Sequence, residues 1–197
     1  GEALDSSLAE QDLGAAMEHI VVDDCSEDDT LSAVAEFADD KRLRLVLNEQ
    51  RLYVAGSSNK AVALARGKYV VRLDADDLFL TNALSHMVRA IEREGAMALY
   101  SAYHEIDENG KVTARHQKPD LELAGGALMR RDWLGYYRFN DKLTHHDGID
   151  FARRMQGNFK IATYNDPLWQ YRVHAGSHSR SAGNRAERER VAREIEV

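Results

Sequence analysis

Three short runs of apolar, mostly β-branched residues constrain the fold of this chain more than any other feature. The runs are His19 to Asp24, Leu43 to Asn48 and Lys68 to Leu73. A helical pattern follows each of them, and the last pattern stops at Gly95, a residue type that commonly ends helices. Since strands that alternate with helices favour a mostly parallel sheet, residues 1–95 are expected to form an α/β unit.

The second half of the chain has a different pattern. Two β-rich stretches flank Asn109 and Gly110, and Asn-Gly is a strong signal for a hairpin turn. Residues 96–179 are therefore expected to be mixed α+β, and the Arg/Glu-rich residues 180–197 are expected to form a charged, solvated helix. All of these segments together, residues 1–197, are predicted to be one domain.

Composition excludes several classes of protein. Of the 197 residues, 44% are hydrophobic and 30% are charged, which is usual for a folded globular domain. No apolar run approaches the roughly 20 residues that a transmembrane helix needs. A formal charge of -7 argues against nucleic acid as a partner, because phosphate backbones are bound by clustered Lys and Arg. The single Cys25 and the lack of a signal-like first segment favour the cytoplasm.

Acidic residues follow the first and third apolar runs. They are Asp23 and Asp24 after the first run, and Asp74, Asp76 and Asp77 after the third. Ligands of open α/β sheets bind beyond the carboxyl ends of the strands, so these acids are expected to share a crevice. Their mutual repulsion favours a bound divalent cation, and oxygen ligands suit Mg²⁺ or Mn²⁺. The alternative is that these acids only cap helices and form turns.

These motifs, in this order, resemble the inverting glycosyltransferases of family 2, which have the GT-A fold. The resemblance extends from about Leu4 to Ser179. The positions that carry it in the first half are Asp24, Asn48, Gly56, Asn59, the stretch Ala65 to Tyr69, and the motif Asp74-Ala75-Asp76-Asp77. By this resemblance Asp24 contacts the nucleotide base, Asn59 belongs to the donor site, Asp76 is the direct metal ligand, and Asp74 lies near the ribose.

Two motifs of the second half resemble the sugar and acceptor side of the same family. The segment Gly125 to Leu134 is similar to the one that lines the sugar pocket, which gives Gly126 a donor-binding role. Asp147, six residues before Arg153, matches the catalytic base of the family. His146 stands where the family usually has Glu, and it receives no role.

Histidines raise a separate possibility of metal binding. The segment Tyr171 to Ser179 resembles the closing motif of the family, in which His174 approaches the metal or the diphosphate. His145 and His146 are interpreted as surface residues rather than as zinc ligands, because no third ligand lies at metal spacing.

Two departures from the family pattern are visible. By the same resemblance, residues 1–95 are the half that binds the nucleotide sugar, here called the nucleotide half. Family members normally begin with a strand before the helix that contains Leu4 and Leu8 here, so the central strand of this half is expected to be missing. Either the chain is part of a longer protein or it is natively shortened. Ser58 also replaces an Arg that the family often uses, and Arg51 and Arg66 are the candidate substitutes.

The resemblance implies transfer of a sugar from a UDP or dTDP donor to a hydroxyl of a glycan or lipid-linked acceptor, which leaves peripheral membrane association open. One alternative is an Asp-dependent phosphatase, but that chemistry needs Thr or Val where Leu78 stands. The other alternative is a non-catalytic domain that binds nucleotide sugars or glycans.

Overall fold

The computed structural model describes residues 1–144 and 146–174, except for the side chain of Ala15. The predicted helix of residues 180–197 and the role of His145 lie outside the described residues. The helices are α1 (Glu2–Leu8), α2 (Thr30–Ala35), α3 (Tyr53–Leu64), α4 (Ala83–Glu94), α5 (Arg131–Leu134) and α6 (Asp147–Met155). The strands are β1 (His19–Asp23), β2 (Leu43–Leu47), β3 (Tyr69–Val71), β4 (Leu78–Phe79), β5 (Ala98–Ile106), β6 (Val112–His116), β7 (Leu128–Arg130) and β8 (Ile161–Arg172).

The first two predicted strands form a parallel pair. The register places His19 opposite Leu43 and Asp23 opposite Leu47. The helix between β2 and β3 begins at Tyr53 and ends at Leu64. The strand–helix order predicted for residues 1–95 is therefore confirmed.

The third predicted strand belongs to a different sheet. β3 pairs antiparallel with β7 in a six-stranded mixed sheet of order β3-β7-β5-β8-β4, and β6 is paired to β5. The sequence predicted one mostly parallel sheet for residues 1–95, and this was wrong. The structure has a parallel pair, β1 and β2, and a separate mixed sheet that contains β3. The predicted hairpin is present, since β5 and β6 are antiparallel and Gly110 has a φ of 79° in the turn.

Helix α4 covers the mixed sheet with its apolar face. Met87 and Ile91 are almost fully buried, and they join a cluster that includes Leu99 of β5. The helix ends as predicted at Gly95, whose φ of 58° is a left-handed conformation that glycine adopts readily. No helix among residues 1–144 and 146–174 is long and apolar enough to cross a membrane.

One edge of β1 has no strand partner in the part of the chain that the structure describes. His19 N–H donates to Arg42 O, and Asp23 O accepts from Asn48 N–H, so alternate residues from His19 to Asp23 bond to β2. The backbone groups of Ile20 and Val22 consequently face the opposite edge. A cavity of about 920 Å³ is lined by this edge and by residues 70–73. We call it the interstrand cavity, and it continues to the acidic turn after β3.

Candidate active site

The acidic motif after β3 forms a tight turn. Asp77 N–H donates to Asp74 O at 3.1 Å, and the Asp77 side chain is turned inwards, with the residue 1% exposed. Asp77 Oδ1 accepts a hydrogen bond from Arg172 N–H, whereas Oδ2 is buried without a hydrogen-bond partner. Burial, and then the charge of Asp74, raises the pKa of Asp77 to about 8.

Asp76 points the other way and meets a residue from the end of the described chain. Its Oδ2 lies 3.2 Å from Nε2 of His174, and both side chains are partly exposed to the cleft. The structure therefore brings together the two residues that the sequence predicted as metal ligands. They are 98 positions apart in sequence.

The donors at this turn fit a divalent ion of the Mg²⁺ or Mn²⁺ type. Within the described ranges, no three His, Cys, Asp or Glu side chains converge as a complete metal cage. Such ions usually retain waters and bind one or two carboxylates together with substrate phosphates, so a partial set of protein ligands is the arrangement expected for them. The Asp76 carboxylate and the His174 imidazole provide this partial set.

Asp147 lies across the cleft as the first residue of α6. The residue is only 6% exposed, and its Oδ2 accepts a hydrogen bond of 2.6 Å from Nη1 of Arg72. Nε of the same arginine is 3.0 Å from Oδ1 of Asp74. The predicted base and the predicted ribose-side acid therefore share one guanidinium group.

Arg72 lies at the centre of this site, although none of the sequence motifs includes it. Burial opposes the charge of the guanidinium, but the charges of Asp74 and Asp147 outweigh this effect and raise the pKa of Arg72. Burial also raises the pKa of Asp74, although Arg72 counteracts it. A charged residue inside the otherwise apolar run before Asp74 was the available signal.

Gly126 lies beneath the cleft where a side chain would not fit. Its φ is 70°, and a Cβ atom at this position would overlap the indole ring of Trp169. Gly126 N–H donates to Arg72 O at 2.8 Å, which joins the predicted sugar-pocket segment to the end of β3. The position predicted for donor binding therefore lies beside the acidic turn.

Asp24 caps the start of α3 from the end of β1. Its Oδ1 accepts hydrogen bonds from Asn48 Nδ2 and Leu52 N–H, both at 2.7 Å, and Oδ2 accepts one from Tyr53 N–H at 2.8 Å. Burial opposes ionisation, but the bonds from Leu52, Asn48 and Tyr53 outweigh it and lower the pKa of Asp24. The carboxylate is thus held as an anion at the mouth of the nucleotide half.

The side chain of Asn59 bonds to the loop before α6. Its amide is buried and makes two hydrogen bonds with the backbone of Phe139, one at 2.9 Å and one at 3.0 Å. These contacts tie α3 to the loop before α6, so they favour a structural role. The donor-site role of Asn59 stays a prediction.

Arg66 does not take the place of the arginine that the family often has at the position of Ser58. Its N–H and its Nε both bind the carboxylate of Glu18, which directly precedes β1. Arg66 therefore lies at the amino end of this strand, whereas Asp24 follows the carboxyl end. No such contact is recorded for Arg51, which is exposed.

An α/β domain of this kind, with an acidic turn after one strand and a buried acid across the cleft, has the GT-A glycosyltransferase fold. The chain belongs to glycosyl transferase family 2, whose profile matches residues 2–172. A similar curated protein is the UDP-Glc:alpha-D-GlcNAc-diphosphoundecaprenol beta-1,3-glucosyltransferase WfaP of Escherichia coli. It is 31% identical over 83% of this chain and 68% of the relative.

Other similar proteins are longer than this chain. An uncharacterized glycosyltransferase of Methanocaldococcus jannaschii is 29% identical over 68% of the chain, which spans about half (52%) of that relative. Among solved structures, Staphylococcus aureus TarS 1-349 in complex with UDP-GlcNAc has a TM-score of 0.81 at 23% identity, over 98% of this chain and 60% of TarS. The mannosyltransferase PcManGT of Pyrobaculum calidifontis, in complex with GDP-Man and Mn²⁺, has a TM-score of 0.69 at 24% identity, over 90% and 54% of the two chains.

Proposed function

We propose that this domain transfers a sugar from a nucleoside diphosphate donor to an acceptor hydroxyl, with inversion at the anomeric carbon. The observation that supports this most directly is the shared guanidinium of Arg72, which brings Asp147 and Asp74 to one cleft. A reaction between a donor and an acceptor needs an acid-rich site for the metal and diphosphate and a separate carboxylate for the acceptor proton. Asp76 and Asp147 fill these two positions.

Each residue has a defined task in this proposal. Asp147, the first residue of α6, takes the proton from the acceptor hydroxyl as the general base. Asp76 and His174 hold the metal, Asp74 lies towards the ribose, and Gly126 belongs to the segment that lines the donor pocket. A bound Mg²⁺ or Mn²⁺ would neutralise the charge that develops on the leaving diphosphate.

The partners are proposed from the names of related proteins. The relative from Escherichia coli is named for a UDP-glucose donor and a lipid diphosphate acceptor, and TarS is similar in fold and was solved with UDP-GlcNAc. A succinoglycan biosynthesis protein of Rhizobium meliloti is 35% identical over 60% of the chain. We therefore propose a UDP-sugar as donor and a glycan or lipid-linked saccharide as acceptor, at the cytoplasmic face of a membrane.

A thermal-shift experiment with UDP, dTDP and GDP, each with and without Mn²⁺, tests the donor site. A ligand that binds only the native state raises the melting temperature by mass action. UDP with Mn²⁺ should give the largest shift, and Asp76→Asn should remove the Mn²⁺-dependent part while the ligand-free melting temperature stays the same. If the variant and the wild type shift equally, Asp76 is not the ligand.

The nucleotide side is tested separately through Asp24. Asp24→Ala should weaken UDP binding even in the absence of metal, because the proposed contact is with the base. If the variant changes only Mn²⁺ affinity, Asp24 belongs to the metal site. Since Asp24 also caps α3, the melting temperature without ligand must be measured for the same variant.

Turnover tests the catalytic part of the proposal. Asp147→Asn should lower kcat by about 100-fold or more while UDP affinity persists, because the amide cannot accept the proton. Asp150→Asn is the matched control, since Asp150 is also buried on α6 but pairs with Arg154. NMR should show a product of inverted anomeric configuration, and a retained configuration would contradict the mechanism.

The alternative is a domain that binds nucleotide sugars without turning them over. The observation that favours it is that one edge of β1, a strand of residues 1–95, has no strand partner among the described residues. UDP-dependent stabilisation together with no product from any donor would support this alternative over the transferase.

A further inference from the structure

Arg72 connects two parts of the cleft that are far apart in sequence. Nη1 of Arg72 bonds to Asp147, 75 positions away, and Nε contacts Asp74 on the adjoining turn. The side chains of Arg72 and Asp147 are 18% and 9% exposed. A charge pair that is shielded to this degree is screened little by solvent, so the contact fixes both partners more firmly than a surface ion pair would.

The contact leaves the Asp147 carboxylate in a defined orientation. Oδ2 is occupied by Arg72, whereas no hydrogen bond to Oδ1 is recorded within the described part of the chain. The bond from Arg72 therefore holds Oδ2 and fixes the direction in which Oδ1 points. A base must place a particular oxygen within hydrogen-bond distance of its substrate, so the direction of Oδ1 affects the rate.

Arg72 is itself held in place at its backbone and at its side chain. Its backbone O accepts from Gly126 N–H, and residue 72 forms a parallel bridge with Gly125. Its guanidinium carbon lies 5.7 Å from the ring centroid of Phe139. A planar guanidinium can contact two carboxylates in fixed directions, whereas the single ammonium group of Lys cannot reproduce both contacts.

We propose that Arg72 is a positioning residue for the transfer reaction, which holds the carboxylate of Asp147 in its reactive orientation beside Asp74. This inference rests on the proposed function. Without Arg72, the carboxylates of Asp74 and Asp147 face each other without a cation between them. Asp147 then loses its fixed orientation, although its position on α6 is unchanged.

The first test compares Arg72→Lys with Arg154→Lys. Both arginines pair with an acid of α6, but only Arg72 contacts the proposed base. Arg72→Lys should lower kcat at least 10-fold and change the dissociation constant of UDP with Mn²⁺ less than twofold, whereas Arg154→Lys should leave both quantities unchanged. If UDP affinity falls instead of kcat, Arg72 binds the diphosphate directly and the proposal is wrong.

A double-mutant cycle shows whether Arg72 acts through Asp147. In an Asp147→Asn background, Arg72→Lys should lower the residual turnover less than twofold, since there is no longer a base to orient. An additional 10-fold loss would mean that the two residues act independently. That result would also overturn the proposal.

A third measurement needs no turnover and separates this inference from the proposed function. The urea midpoints of Arg72→Met, Asp147→Asn and the double variant should be strongly non-additive. Arg72→Met leaves the buried carboxylate of Asp147 without its cation, and Asp147→Asn leaves Arg72 with only one of its two carboxylates. Additive midpoints would contradict the structural coupling. Non-additive midpoints in a protein that transfers no sugar would mean that the contact is correct and the proposed function has failed.

Discussion

The backbone N–H of Arg172 donates a hydrogen bond of 2.9 Å to Oδ1 of Asp77, and this bond joins the end of β8 to the acidic turn after β3. The guanidinium of Arg172 adds bonds to the backbone oxygens of Asp76, Asp107 and Glu108, at 2.8, 3.2 and 3.1 Å. Arg172 therefore holds the turn that carries Asp76 in place from the far end of the described chain. His174 follows two residues later, which explains how it reaches Asp76.

Replacing this arginine should destabilise the fold. Arg172→Met removes a buried cation and leaves three backbone carbonyls without their donors, so the free energy of unfolding should fall by about 3 kcal/mol or more. Urea denaturation measures this loss of unfolding free energy. Arg93→Met is the control, because Arg93 is 70% exposed and its one ion pair among the described residues is with Glu94, on the surface, where such pairs contribute about 0.5 kcal/mol. Similar losses in the two variants would contradict this account of Arg172.

His19 should make the fold sensitive to acid. Burial, and then the charge of Arg42, lowers the pKa of His19 to about 4, and its Nδ1 lies 3.0 Å from Ser7 Oγ. The unfolded chain, with a pKa of about 6.5, therefore binds a proton that the folded chain excludes. Stability is fully present above about pH 6.5 and is lost as the pH falls towards 4, by up to about 3 kcal/mol.

Urea denaturation at pH 7 and at pH 4.5 measures this loss. His19→Gln should reduce the difference between the two pH values, since glutamine does not titrate. His86→Gln, at an exposed position of α4, should leave the difference as in the wild type. An unchanged pH dependence in His19→Gln would assign the acid sensitivity to other groups.

Local features of this fold were predictable from the sequence. The apolar runs gave β1, β2 and β3 within one or two residues, and Asn109 with Gly110 predicted the hairpin, because these signals depend on neighbouring residues alone. That Asp76 and His174 lie close together was predicted from the family resemblance. The distance between the two residues along the sequence gives no such information.

Contacts between distant segments were not predictable from the pattern. β3 pairs with β7 rather than with a parallel neighbour, and the amide of Asn59 bonds to Phe139, 80 positions away. The contact between Arg72 and Asp147 belongs to the same group. Such contacts depend on which surfaces meet once the helices and strands have formed. The pattern of neighbouring residues in the sequence does not indicate which surfaces these are.

Gly148 should be required for the placement of the proposed base. It follows Asp147 in α6, and a Cβ atom there would overlap the backbone oxygen of Glu122 and crowd the backbone nitrogen of Ala124. Gly148→Ala should cost about 1–3 kcal/mol of unfolding free energy despite the better helix propensity of Ala. It should also lower kcat, because α6 must shift away from residues 122–124 and Asp147 is the first residue of this helix.

The control for this substitution is Gly135→Ala. The nearest atom to a Cβ at Gly135 is Asp132 O at 3.4 Å, so little displacement is needed. Urea denaturation and kcat should both stay close to the wild-type values. Equal effects at the two glycines would show that backbone entropy, and not the contact with Glu122, determines the result.

The unpartnered edge of β1 predicts that an added strand will stabilise the domain. Ile20 and Val22 are half-buried, although a strand that is apolar on both faces is usually central in its sheet. Across the interstrand cavity, Lys68 O bonds to Arg131 N–H, so Tyr69 and Val71 direct their backbone groups away from β7. An extended apolar segment in the cavity can bond to both edges and cover both strands.

Fusing six Val and Ile residues ahead of Gly1 through a flexible linker tests this, because Gly1 itself lines the cavity. The melting temperature should rise by about 4 °C or more, since each kcal/mol gained shifts it by about 2–4 °C in a domain of this size. Hydrogen exchange should slow at the amides of Ile20 and Val22, whereas the amide of Val21, which faces β2, should change little. A Gly/Ser segment of equal length is the control. If that segment gives the same shift, or if the alternating pattern of protection is absent, the added residues do not pair with β1.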